Sequence, residues 1–192
     1  MEIQHVNVKL MLSPRKDFDF APLVPIFNTW IQNQAPEDLL LDIADYRHVP
    51  NGPGVIVIGH QGNYSVDNTD ARLGVRYNRK AALDGTNQDR LKQAAQAALV
   101  ACRRLEEEPL LGKTLSFGGQ ELDIFINDRL LAPNVDATRK ALHPELESFS
   151  RKLFGGAQCA FGYSTDPRSL FTVTLRAPRP FSVTDLLVNL GA

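Results

Sequence analysis

The sequence predicts an α+β domain: a mixed, mainly antiparallel sheet with helices packed on it. Three observations carry that prediction. Several short runs alternate apolar with polar residues at the period of a strand, and turn-forming residues separate them closely. Two longer segments instead repeat apolar residues every three to four positions, as a helix does. With 192 residues and 43% hydrophobic content the chain can bury one sizeable core, so residues 1–192 are read as a single domain.

Ile3 to Leu12 opens as a strand, with Val6, Val8 and Leu10 alternating against His5, Asn7 and Lys9. Ser13-Pro14-Arg15-Lys16-Asp17 breaks it. Between Ala21 and Gln32 the residues Leu23, Phe27, Trp30 and Ile31 fall on one face of a helix, which Pro22 suits as a first turn, so Trp30 is expected in the core. Leu39, Leu41 and Ile43 alternate with Leu40, Asp42 and Ala44, and Val55 to Ile58 form a β-branched run expected to be covered on both faces. Tyr64 to Val66 and Arg72 to Asn78 continue as strands, giving an antiparallel meander.

The spacing of Leu91, Ala95, Ala98, Cys102 and Leu105 predicts a helix over 86–108, opened by a capping box of Thr86 and Asp89 and closed by Pro109. Leu115 to Phe117 and Glu121 to Asn127, on either side of Gly118-Gly119, read as a hairpin. A helical region starts near Asp136, is interrupted at Pro144 and stops at Gly155-Gly156. Gln158 to Tyr163 and Leu170 to Arg176 are strands, and Ser182 with Asp185 caps a final helix. Each half, 1–83 and 113–192, thus contains a strand, a helix and an antiparallel pair. Two pseudo-repeated βαββ units joined by the 86–108 helix are the expectation.

Acidic and basic residues nearly cancel, for a formal charge of −1, which argues against a nucleic-acid or membrane partner. The opening MEIQHVNVKLML is unlike a signal peptide and no segment approaches ~18 apolar residues, so a cytoplasmic location is expected. Cys102 and Cys159 sit in no paired motif and are read as small apolar side chains.

The densest group of reactive side chains lies in 38–67, around the rigid loop that ends in Asn51-Gly52-Pro53-Gly54. The leading expectation is a small-molecule-binding protein with a cleft near 46–64 and Tyr46, Arg47, His48, His60 and Tyr64 as contacts. The alternative is an enzyme using Asp45, His48 and His60 for acid–base chemistry, since a histidine oriented by a carboxylate exchanges protons near neutral pH. Asp42, Asp45 and Asp67 are further oxygen donors, but there is no short histidine spacing and no metal is assigned. No cofactor is assigned either: there is no Gly-x-Ser-x-Gly and no phosphate loop. A third reading is a homo-oligomer formed through an exposed strand edge. The row Arg72, Arg76 and Arg79 is read as a solvated strand face rather than as a site for an anion.

Overall fold

The computed structural model describes residues 1–13, 18–35, 38–111 and 115–192; the break expected at 14–17 lies outside them. Eight strands form one sheet: β1 (Val6–Leu12), β2 (Leu40–Tyr46), β3 (Gly54–Gly59), β4 (Gly62–Asp67), β5 (Gly74–Arg79), β6 (Phe117–Ile126), β7 (Ala160–Tyr163) and β8 (Phe171–Arg176). Their order is β2-β3-β4-β5-β1-β6-β8-β7, and every neighbouring pair is antiparallel. The meander read from the sequence is the β2 to β5 half of this sheet.

Period-two alternation decides which way the sheet faces. Val6, Val8 and Leu10 of β1, Val75 and Tyr77 of β5, Leu122, Ile124 and Ile126 of β6, and Phe171, Val173 and Leu175 of β8 are all buried on one face. Helices α1 (Leu23–Asn33), α2 (Asn87–Glu106), α3 (Asp136–Leu153) and α4 (Val183–Asn189) cover that face. Trp30 of α1 meets Tyr64 edge to face at 6.5 Å between ring centres. Gln93 of α2 donates to the Tyr77 hydroxyl at 3.2 Å, and His143 of α3 packs on Phe161 at 4.9 Å. The alanines of α2 (Ala94, Ala95, Ala98 and Ala101), all fully buried, let the helix lie close over β1 and β5. Both capping boxes form as expected, Thr86 with Asp89 and Ser182 with Asp185.

Two expectations are corrected, and the pseudo-repeat is not confirmed. The hairpin at Gly118-Gly119 is instead one ten-residue strand, β6. Gly119 has φ 52° and lies where a Cβ would meet the Phe181 carbonyl oxygen at 2.0 Å, and the pairing with β1 slips between Leu10 and Leu12, so the glycines serve a bulge and not a turn. Helix α3 runs uninterrupted through Pro144, which sits on its exposed side. The two halves are unequal: β1 to β5 form one side of the sheet and β6 to β8 the other. They meet at the β1–β6 pair.

Candidate functional site

The structure spreads the residues expected around 46–64 over three places. Tyr46 and Arg47 border a recess of about 150 Å³ at the β2–β3 connection, shared with Phe20, Pro50 and Asn68. Arg47 makes a forked ion pair with Asp45, its Nη2 2.6 Å from the carboxylate, and this holds the Asp45 carboxyl down to about 2. His48 is exposed and stacks on Tyr46. His60 is exposed at the β3–β4 turn, the opposite end of β3, roughly 17–20 Å of strand away. That turn is held by Asp38, whose carboxylate accepts from the backbone of Gln61 and Gly62. Tyr64 is 4% exposed and faces the helices between Trp30 and Tyr77, and burial raises its phenol well above the usual tyrosine value. His48, His60 and Tyr64 are therefore not brought together.

A larger cleft, about 530 Å³, opens on the face of the sheet away from the helices. Its floor is the polar half of the same alternation. Cross-strand pairing aligns Ser65 of β4, Arg76 of β5, Lys9 of β1, Asp123 of β6, Thr174 of β8 and Gly162 of β7 in a single row across the sheet. Two loops wall it, the turn Thr69–Ala71 after β4 and the Ser164–Leu170 connection between β7 and β8. The second loop is tied down by α3, where Arg139 donates to the Ser164 carbonyl, and by Asn134, which donates to the carbonyl of Asp166.

Charges on this floor are buried and mostly paired. Lys9 and Asp67 lie 2.5 Å apart, each with a side chain only 3% exposed. The same Asp67 accepts from the backbone and hydroxyl of Thr69, so the buried pair also fixes the first wall. Gly74 makes room for the lysine stem: a Cβ there would stand 3.2 Å from Lys9 Cε and 2.5 Å from the Leu10 carbonyl oxygen. Asp123 accepts from Arg72 at 2.7 Å and from the Thr174 hydroxyl at 2.6 Å. Glu121 takes Arg72 on one oxygen and Arg176 on the other. Burial lowers the Lys9 amine against the opposing pull of Asp67, and burial raises the Asp123 carboxyl against Thr174 and Arg72.

Arg76 is the exception. Its guanidinium lies 4.4 Å above the Phe125 ring, and its nearest charge is Asp67 at 3.9 Å, an oxygen already bound by Thr69. Its Nε is fully buried without an acceptor, and among the described residues the guanidinium makes no hydrogen bond. A fork of cationic donors facing a hydroxyl-lined cleft is suited to a planar anion.

The chain matches no known family model, curated protein or solved structure. Among the described residues, no three or more His, Cys, Asp and Glu side chains are grouped to hold a metal ion, and no helix is long and apolar enough to cross a membrane.

The sequence reading placed Arg72 and Arg76 on one strand face but grouped Arg79 with them. Arg79 points the other way and binds the carbonyls of Ala81 and Ala82 and the Gln61 side chain. The signal that would have found the cleft is the polar member of each alternating pair, Lys9, Arg76, Asp123 and Thr174. Each is visible in its own strand, and only the order of the strands unites them.

Proposed function

We propose that the protein binds a small anionic molecule on the polar face of its sheet, with Arg76 as the anchor. The observation that carries this reading is the guanidinium itself. A buried donor without an acceptor costs about 1–3 kcal/mol, and the terminal nitrogens of the same guanidinium, which make no hydrogen bond among the described residues, border the open cleft. The cleft volume, about 530 Å³, is in the range of small-molecule sites, whereas the recess beside Tyr46 and Arg47, about 150 Å³, falls below it. Phe125 supplies apolar area, and Thr172, Ser164 and Ser169 supply neutral hydrogen-bonding groups around the anion.

The experiment is a thermal-shift titration with acetate, propanoate, benzoate and inorganic phosphate on the wild type and on Arg76→Met. A ligand at about 100 times its dissociation constant adds roughly 2.7 kcal/mol of stability. The reading expects a saturable rise in Tm with at least one of these anions that R76M lacks. Equal responses in the two proteins would refute it.

A second reading, self-association, is favoured by β2. It forms one end of the sheet, with β3 as its sole partner among the described residues, and Leu39 just before it and Leu41 within it are 56% and 54% exposed. Addition of a second copy along that edge would leave the cleft open. A solution mass of one chain at high concentration would exclude it.

A further inference from the structure

The charges around the cleft define a narrower ligand class than an anion, and this step rests on the anion-binding reading above. Four cations, Lys9, Arg72, Arg76 and Arg176, line the cleft. Lys9 is taken by Asp67, Arg72 by Asp123 and Glu121, and Arg176 by Glu121. Every oxygen of Asp67, Asp123 and Glu121 already accepts at least one donor. Arg76 is left with only a 3.9 Å approach to Asp67, whose oxygens are already taken.

One lining anion is left over as well. Asp70 borders the same cleft, is exposed, and makes no hydrogen bond and no ion pair among the described residues. Its charge is felt by Arg76, yet the two do not pair. Asp70 and Ala71 are both left-handed, with φ 60° and 56°, a conformation that alanine in particular adopts at a cost. Asp67 anchors the turn through Thr69, so the carboxylate of Asp70 is presented by a short, constrained wall.

A ligand carrying only negative charge satisfies Arg76 but is repelled by Asp70, and a dianion is repelled twice as strongly. A ligand with both signs satisfies both. We infer that the cleft takes a small zwitterion, an amino acid or ω-amino acid, with its carboxylate on Arg76 and its ammonium on Asp70. The neutral hydroxyls of Thr172, Ser164 and Ser169 line the same cleft without adding charge.

The test is isothermal titration calorimetry at low ionic strength with matched pairs: glycine and acetate, β-alanine and propanoate, 4-aminobutanoate and butanoate, 5-aminopentanoate and pentanoate. Wild type and Asp70→Asn are compared, asparagine being the uncharged residue of the same shape that also tolerates the left-handed backbone. An exposed ion pair gives up to about a fivefold gain, so one chain length is expected to bind roughly fivefold more tightly than its deaminated partner. D70N is expected to erase that gain and to leave the plain carboxylate bound equally or better. Equal binding of amino acid and carboxylate at every length, with carboxylate binding still lost in R76M, would overturn the zwitterion inference and leave the anion site standing. Absence of binding by all eight compounds would overturn both.

Discussion

Replacing Arg76 by methionine separates a residue kept for binding from one kept for folding. The Arg76 side chain is 18% exposed, its Nε has no acceptor, and its closest counter-charge is 3.9 Å away. Leaving a buried donor unpaired costs about 1–3 kcal/mol. The stack on Phe125, centred at 4.4 Å, returns roughly 0.5–2 kcal/mol. Methionine has similar reach, no polar hydrogen to satisfy, and regains about 0.3–1.5 kcal/mol from its sulfur against the ring. Asp67 keeps its stronger partner, Lys9, at 2.5 Å. The balance predicts that R76M is unchanged to about 2 kcal/mol more stable. For a chain of 192 residues, where 1 kcal/mol moves Tm by roughly 2–4 °C, calorimetry should show no change or a rise of up to about 8 °C. A fall of more than about 4 °C would mean that Arg76 contributes to the fold, and the argument from its missing partner would fail.

Other substitutions test the frame around it. Asp67→Asn leaves Lys9 buried without a counter-charge and should cost about 3–5 kcal/mol in chemical denaturation, while the double change Lys9→Met with Asp67→Asn should recover at least half of that loss. Gly74→Ala pushes a methyl against the Leu10 carbonyl oxygen and the lysine stem and should destabilise by about 1–3 kcal/mol, read from the midpoint of urea unfolding. Asp123 has a folded-state value raised above the ordinary 3.8, so the folded protein holds the proton more tightly than the unfolded chain. Its contribution is therefore present below 3.8 and lost as pH rises through the raised value. The stability difference between wild type and Asp123→Asn should fall across that window, and a flat difference would contradict the burial argument. If the β2 edge mediates self-association, Leu41→Lys should lower the mass measured by light scattering to that of one chain.

The elements were legible in the sequence wherever the signal was local. The alternation of Val6, Val8 and Leu10 and the box of Thr86 with Asp89 depend on residues a few positions apart, and both elements formed as read. Gly118-Gly119 and Pro144 misled because a glycine pair serves a bulge as well as a turn, and a proline on the exposed side of a helix breaks one hydrogen bond without ending it. The candidate site was harder for a physical reason. His48 and His60 are twelve positions apart, but an extended strand carries them to opposite ends of the sheet. Lys9, Asp67 and Asp123 are distant in sequence and adjacent in space through the β1–β6, β1–β5 and β4–β5 pairs, which no local pattern encodes. What the sequence did show was polarity: a lysine, an arginine and an aspartate at the polar positions of strands whose other face is mainly apolar.

The most direct test of the account observes the Arg76 Nε–H resonance in a ¹⁵N-labelled sample, assigned by its loss in R76M, during titration with propanoate and β-alanine. A carboxylate bound at the terminal nitrogens should shift the neighbouring Nε–H, and that shift should saturate with the same curve as the thermal shift. A resonance that stays fixed while either compound stabilises the protein would place the binding elsewhere and contradict the assignment of Arg76 as anchor.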